Sequence, residues 1–81
     1  MEKVLQEIRE ERARQDVKWG TAHDDEHFPA DWAILVSRYA IESVFMPTAD
    51  EEFDGPKHRK QMIQAAALAV AAIESYDRQN V

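Results

Sequence analysis

Eighty-one residues make one domain, near the lower end of what folds alone, and the absence of cysteine excludes disulfides and a thiolate zinc site. Twelve of the hydrophobic residues are alanine, so a core this thin wants help from oligomerisation first and a metal second. The net charge is −6 and uneven: residues 19–54 carry nine acids against Arg38 alone, which argues against general nucleic-acid binding, a function that wants a continuous basic face.

The charged N-terminus does not read as a signal peptide. The longest apolar run, Ala65 to Ile73, is nine residues, against about 20 for a membrane span. A soluble, cytoplasmic protein is expected. Gly20, Gly55 and the prolines at 29, 47 and 56 divide the chain into three helices, about 2–18, 29–46 and 56–78. No strand-like alternation and no internal repeat is present, so the predicted fold is all-α, a single domain over 1–81.

In the first helix Val4, Leu5 and Ile8 share a face at the helical period. Continuing that face reaches Arg12, Gln15 and Trp19. An arginine on a buried stripe needs a carboxylate, from the acidic loop or from Glu42. The alternative is that Arg12 or Arg14 holds a phosphate or carboxylate ligand. Gly20 fits the position past the helix end where a positive φ is wanted.

Between the first two helices lies His23-Asp24-Asp25-Glu26-His27. Imidazole and carboxylate together suit zinc, manganese or nickel, and carboxylates alone suit magnesium. His23, Asp24, Asp25 and His27, with Glu42 from the second helix, are the candidate ligands of a divalent metal. Equally, an Asp caps a turn, or pairs with Arg12 or Arg14, and the rest is solvated. His23 and His27 face together only if this loop is helical.

Pro29 opens the second helix. Trp32, Leu35, Val36, Tyr39 and Ser43 form one face, and Ile34, Ile41 and Phe45 another. A narrow strip of Asp31, Arg38 and Glu42 stays charged, with an Arg38–Glu42 salt bridge the simplest reading. A helix so widely apolar is covered on more than one side. The acidic stretch 47–55 reads as a mobile loop with Phe53 as an anchor.

The third helix opens with Lys57, His58, Arg59 and Lys60. Positive side chains there oppose the helix dipole, so either a bound phosphate or nucleotide, or the preceding Asp50, Glu51, Glu52 and Asp54, should balance them. Met62, Ile63, Ala66, Val70, Ile73 and Tyr76 give one face, and Ala65, Leu68, Ala69 and Ala72 extend it. A long helix with two sides to cover predicts a partner protomer and a helical-bundle homo-oligomer.

Glu11-Arg12-Ala13-Arg14-Gln15, Lys18-Trp19-Gly20-Thr21, His23-Asp24-Asp25 and Arg59-Lys60, leading into Ala65-Ala66-Ala67-Leu68 and Ile73-Glu74-Ser75-Tyr76-Asp77-Arg78, together resemble small phage and prophage proteins of a domain family of unknown function. That family marks itself with an E-R-x-R-Q helix, a K-W-G turn, an H-D-D loop and a final helix ending in E-R-L-D-R. It looks in turn like the MazG-like all-α nucleotide pyrophosphohydrolases, which hold magnesium with E-E-x-x-E on one helix and E-x-x-D on the next. Here those stretches fall on Ser37, Arg38 and Ile41, and on Gln61 and Gln64, so no magnesium carboxylate carries over.

The resemblance therefore implies a fold and a nucleotide-sized cleft rather than an activity. The leading expectation is a non-catalytic oligomer that binds a phosphorylated small molecule, such as a nucleotide signal it would sequester. Arg12, Arg14, Gln15, Lys57, His58, Arg59 and Lys60 would hold the phosphates, and Trp19 or Trp32 would stack on a base. The alternatives are a metal-dependent nucleotide hydrolase built on His23, Asp24, Asp25 and Glu42, and an acidic module that binds a basic surface of a host protein.

Overall fold

A computed structural model describes residues 1–45 and 52–81, and all regular structure among them is helical. Helix α1 spans Glu2–Lys18, α2 Thr21–Asp25, α3 Pro29–Glu42 and α4 Gly55–Gln79. Among the described residues no helix is long and apolar enough to cross a membrane.

Local chemistry sets most of the boundaries. The Trp19 amide closes α1 by donating to the Gln15 carbonyl at 2.9 Å. The next residue, Gly20, has φ 83 and ψ 167 and reverses the chain into α2. The positive φ is as expected, and with this ψ it lies in the extended region that essentially only glycine occupies. At the start of α3 the Asp31 carboxylate accepts from the Phe28 amide at 2.8 Å, and Pro29 supplies a preset φ. At the start of α4 the Asp54 carboxylate accepts from the Lys57 amide at 2.9 Å, as an N-cap should.

Three expectations need correction. The structured loop expected after Gly20 contains a short helix of its own, α2. The α3 helix ends at Glu42 rather than at 46, because the Val44 and Phe45 amides bond back only three residues, to Ile41 and Glu42, tightening the last turn. Met46 and residues 47–51 of the expected loop lie outside the described residues. The third correction is the buried face of α4. Ala65, Leu68, Ala71 and Ser75 are buried, whereas Met62, Ile73 and Tyr76 are exposed.

Helix α4 is the spine on which the other three pack. Glu7 meets Arg59 and Arg12 meets Glu74, so α1 runs parallel to it. Ser43 meets His58 near the start of α4 and Trp32 lies against Ala72 near its end, so α3 runs antiparallel. The core is Trp32, Leu68 and Ala71, with Leu35, Val36, Tyr39 and Ala72 packed around it. The alanines let the helices approach closely, but they remove little apolar area from water.

The consequence is an open structure. Its radius of gyration is 14.1 Å, against about 12 Å for a compact domain of this length. It exposes 5959 Å², where a folded monomer of this mass exposes about 5,000 Å².

Candidate functional site

Arg12 is the polar centre of the fold. It sits on the apolar side of α1, one turn beyond Ile8, and is buried with Gln15. Its guanidinium donates to Glu74 at 3.2 and 3.3 Å and to Asp16 at 3.1 Å. It also lies 3.9 Å from the buried carboxylate of Asp24 and 3.4 Å from the Gln15 amide oxygen. A fixed planar fork with five donors suits such a junction. The 19–28 segment thus brings one carboxylate, Asp24, near Arg12, but the carboxylates that Arg12 hydrogen-bonds are Glu74 on α4 and Asp16 on α1, and the guanidinium ties α1 and α2 to the last third of α4.

The neighbouring Asp25 completes the attachment of α2. Its carboxylate accepts from the Ser75 hydroxyl at 2.8 Å and from Arg78 at 2.7 Å. Arg78, then Ser75, hold its pKa below the usual carboxylate value by hydrogen bonding to the charged form. Spacing in the sequence carried no signal for Glu74, Ser75 or Arg78 in this role, since each partner comes from another helix.

Helix α2 and the turn that follows it, where the Glu26 and His27 amides bond back to His23 and Asp24, set His23 and His27 together, with ring centroids 4.9 Å apart. Trp19 stacks on His23 at 6.1 Å and His27 on Trp32 at 4.7 Å. The four rings form one ladder from the end of α1 to the start of α3, and it binds the 19–28 stretch between its two tryptophans. The His27 ring nitrogen Nδ1 lies 3.0 Å from the His23 carbonyl oxygen.

The five proposed metal ligands do not come together. Among the described residues no group of three His, Asp or Glu side chains could hold a metal ion. Asp24 faces Arg12, Asp25 is held by Ser75 and Arg78, and the two histidines are in the ladder. Glu42 pairs with Arg38 at 3.3 Å, beside Ser43, which bonds to His58. Asp25 bonds to Ser75, so the two ends of the proposed set are separated by about 25 Å of α4.

The proposed anion ligands are partly assembled. Arg14, Arg59 and Lys60 line one groove between α1 and the start of α4, of about 690 Å³, together with Glu7, Glu10 and Glu11. Arg59 donates to Glu7 through both its terminal nitrogens, one at 2.8 Å. Arg14 donates to Glu11 at 2.8 and 2.6 Å. These bonds lower the carboxyl pKa values of Glu7 and Glu11 and raise those of the two arginines. The charges of the groove walls thus largely cancel. Glu11 also accepts from Gln15 at 3.1 Å, which links the groove to the Arg12 junction.

The other anion candidates lie elsewhere. Arg12 and Gln15 are committed to the junction, and Trp19 to the ladder. His58 shares a 2.9 Å hydrogen bond with the buried Ser43 and contacts the ring of Phe53, which is itself exposed. Lys57 lines a separate hollow beside Ser43 and Asp54. Among the described residues the partner of Arg59 is thus Glu7 on α1; Asp50 and Glu51 of the 47–55 stretch lie outside the described residues.

The positions that answer to the magnesium motifs also part company. Ser37, Arg38 and Ile41 lie exposed on the outer face of α3, while Gln64 lines the α1–α4 groove and Gln61 is half-buried. The Gln61 side-chain oxygen is buried without a hydrogen-bond partner among the described residues.

No family model matches the chain, and neither curated proteins nor solved structures gave a match.

Proposed function

We propose that this chain is a non-catalytic helical module that works as a homo-oligomer, with the open side of α4 as its contact surface. The observation that carries this reading is the exposure of Met62 (43%), Ile73 (61%) and Tyr76 (66%) along the longest helix of the fold. With Ala66 and Ala69 they recur at alternating spacings of four and three, the seam of a helix-to-helix contact. Much of the arginine charge, meanwhile, is paired within the chain. Arg12, Arg14, Arg59 and Arg78 each hold a carboxylate that fixes one helix or joins two. Sedimentation equilibrium across a wide concentration range tests this directly. Mass above that of one chain at micromolar concentration, with a melting temperature that rises with concentration, is expected. A single-chain mass throughout would remove the reading.

A second reading keeps the phosphorylated small molecule, and the convergence of Arg14, Arg59 and Lys60 on one groove favours it. The resemblance to nucleotide enzymes points the same way. A phosphate would draw Arg14 and Arg59 from Glu11 and Glu7, so binding exchanges one set of charge-assisted hydrogen bonds for another. Calorimetric titration with a panel of nucleotides tests it. Binding that weakens in Lys60→Ala supports it, and no heat or thermal shift from any nucleotide on folded protein would count it out.

A further inference from the structure

We infer that two copies of this chain pair antiparallel along α4 about a twofold axis at Ala69, seating each copy's Met62 beside Ile73 and Tyr76 of the other. The inference rests on the association reading above and specifies its partner and geometry.

The α4 stripe has a centre. Met62 and Tyr76 stand equally far before and after Ala69, each about 10 Å away along the helix. The middle of the stripe is small, with Ala66 and Ala69, and its ends are large. Two such helices can approach closely at the axis and interlock at both ends.

Beside Ile73 and Tyr76 lies a groove of about 470 Å³, walled also by Pro29, Trp32 and Ala72. Nothing from the chain's own described residues fills it. Antiparallel pairing delivers the second copy's Met62 to this place. An unbranched thioether suits an irregular apolar gap against aromatic rings. Parallel pairing would set Met62 on Met62 and leave the groove empty.

The helix dipole selects the same direction. Antiparallel pairing sets the positive start of one α4 beside the negative end of the other, and parallel pairing sets like ends together.

The competing apolar face, on the outside of α3, exposes Ile34 and Ile41. The Arg38–Glu42 salt bridge lies between them, and burying it would cost its hydration.

The chain has no cysteine, so introduced thiols report the geometry cleanly. Each variant is expected to keep its helical content by circular dichroism, because the positions changed are exposed or half-exposed. Under mild oxidation Ala69→Cys is expected to convert to a covalent dimer. Met62→Cys alone and Tyr76→Cys alone are expected to stay single chains, while a mixture of the two forms a mixed covalent dimer. Ala69→Glu, which sets two like charges on the axis, is expected to lose the dimer in sedimentation. A dimer in which Met62→Cys links to itself would overturn the antiparallel direction. A dimer that survives Ala69→Glu and is linked instead by Ile34→Cys would overturn the surface. A parent chain that stays single at all concentrations would remove the association reading itself.

Discussion

Asp25 and Ser75 stand fifty positions apart in the chain, and the Ser75 hydroxyl donates to the Asp25 carboxylate at 2.8 Å. Ser75 is buried on α4 and Asp25 half-buried at the end of α2. The bond, with Arg78 behind it, converts a polar link between two helices into a fixed attachment. A five-residue helix cannot hold itself together in water, so α2 exists because α4 and α1 hold it.

The two sides of this bond should not cost the same to remove. Asp25→Ala leaves the Ser75 hydroxyl buried, with only the Gln79 amide to partner its oxygen. It should lower stability by about 1–3 kcal/mol. Ser75→Ala leaves Asp25 with Arg78 and access to water, and should cost about 1 kcal/mol. Urea unfolding of the two variants checks the order. Equal losses would show that the hydroxyl finds another acceptor.

Arg12 and Asp24 should behave as a coupled pair. Arg12→Met strands a buried carboxylate and should cost about 3 kcal/mol. Asp16 and Glu74, half-exposed, return to water. Adding Asp24→Leu should therefore recover part of the loss. A double-mutant cycle reads the coupling, and purely additive losses would mean that Asp24 is already hydrated in the native state.

At Gly20 the cost of a side chain is conformational. A Cβ there would meet only the Asp16 carbonyl oxygen, at 3.9 Å, so space is not the constraint. With φ 83 and ψ 167, Gly20→Ala should cost about 1–3 kcal/mol. Gly20→Asn should give no relief, because asparagine tolerates the left-handed helical region and not this one. Recovery of stability by asparagine would place Gly20 in that other conformation.

Acid should loosen the helix attachments before it melts the core. Glu7, Glu11 and Asp25 have lowered pKa values, caused first by Arg59, Arg14 and Arg78 respectively. The unfolded chain therefore takes up protons at a higher pH than the native one. These groups contribute above about pH 5, and their contribution is lost as pH falls through the lowered native values. Thermal melts from pH 7 to pH 3 should show a falling midpoint, shallower in Glu7→Gln and in high salt.

Leu68 and Met62 separate folding from association. Leu68→Ala opens the small core beside Trp32 and should cost about 2–4 kcal/mol, enough to unfold much of a chain this marginal. Met62→Ala should leave the melt of dilute protein nearly unchanged while weakening association. Thermal melts at two concentrations distinguish the effects.

Much of this was legible in the residues. The break at Gly20, the helix start at Pro29 and the face of Trp32, Leu35, Val36, Tyr39 and Ser43 follow from local rules. So does the demand of Arg12 for a carboxylate, because a cation on an apolar stripe must be paired wherever the chain goes. The HDDEH segment was harder. Its residue types fit a metal equally well, and only helix α2 and its neighbours assign Asp24 to Arg12 and Asp25 to Ser75.

The faces of α4 mark the boundary most clearly. Periodicity shows that this helix has apolar residues on two sides, because side-chain spacing is a property of one helix. It does not rank the sides, since Met62, Ile73 and Tyr76 are as apolar as Ala65, Leu68 and Ala71. Packing ranked them: α1 and α3 close onto the alanine-rich side, where backbones come near, and leave the larger side chains outward. What the sequence by itself determined is the helical content, the breaks and the need for paired charge, each set by interactions within a few residues. Which carboxylate meets which arginine, and which face of α4 stays open, was decided only when helices distant in the chain were brought together.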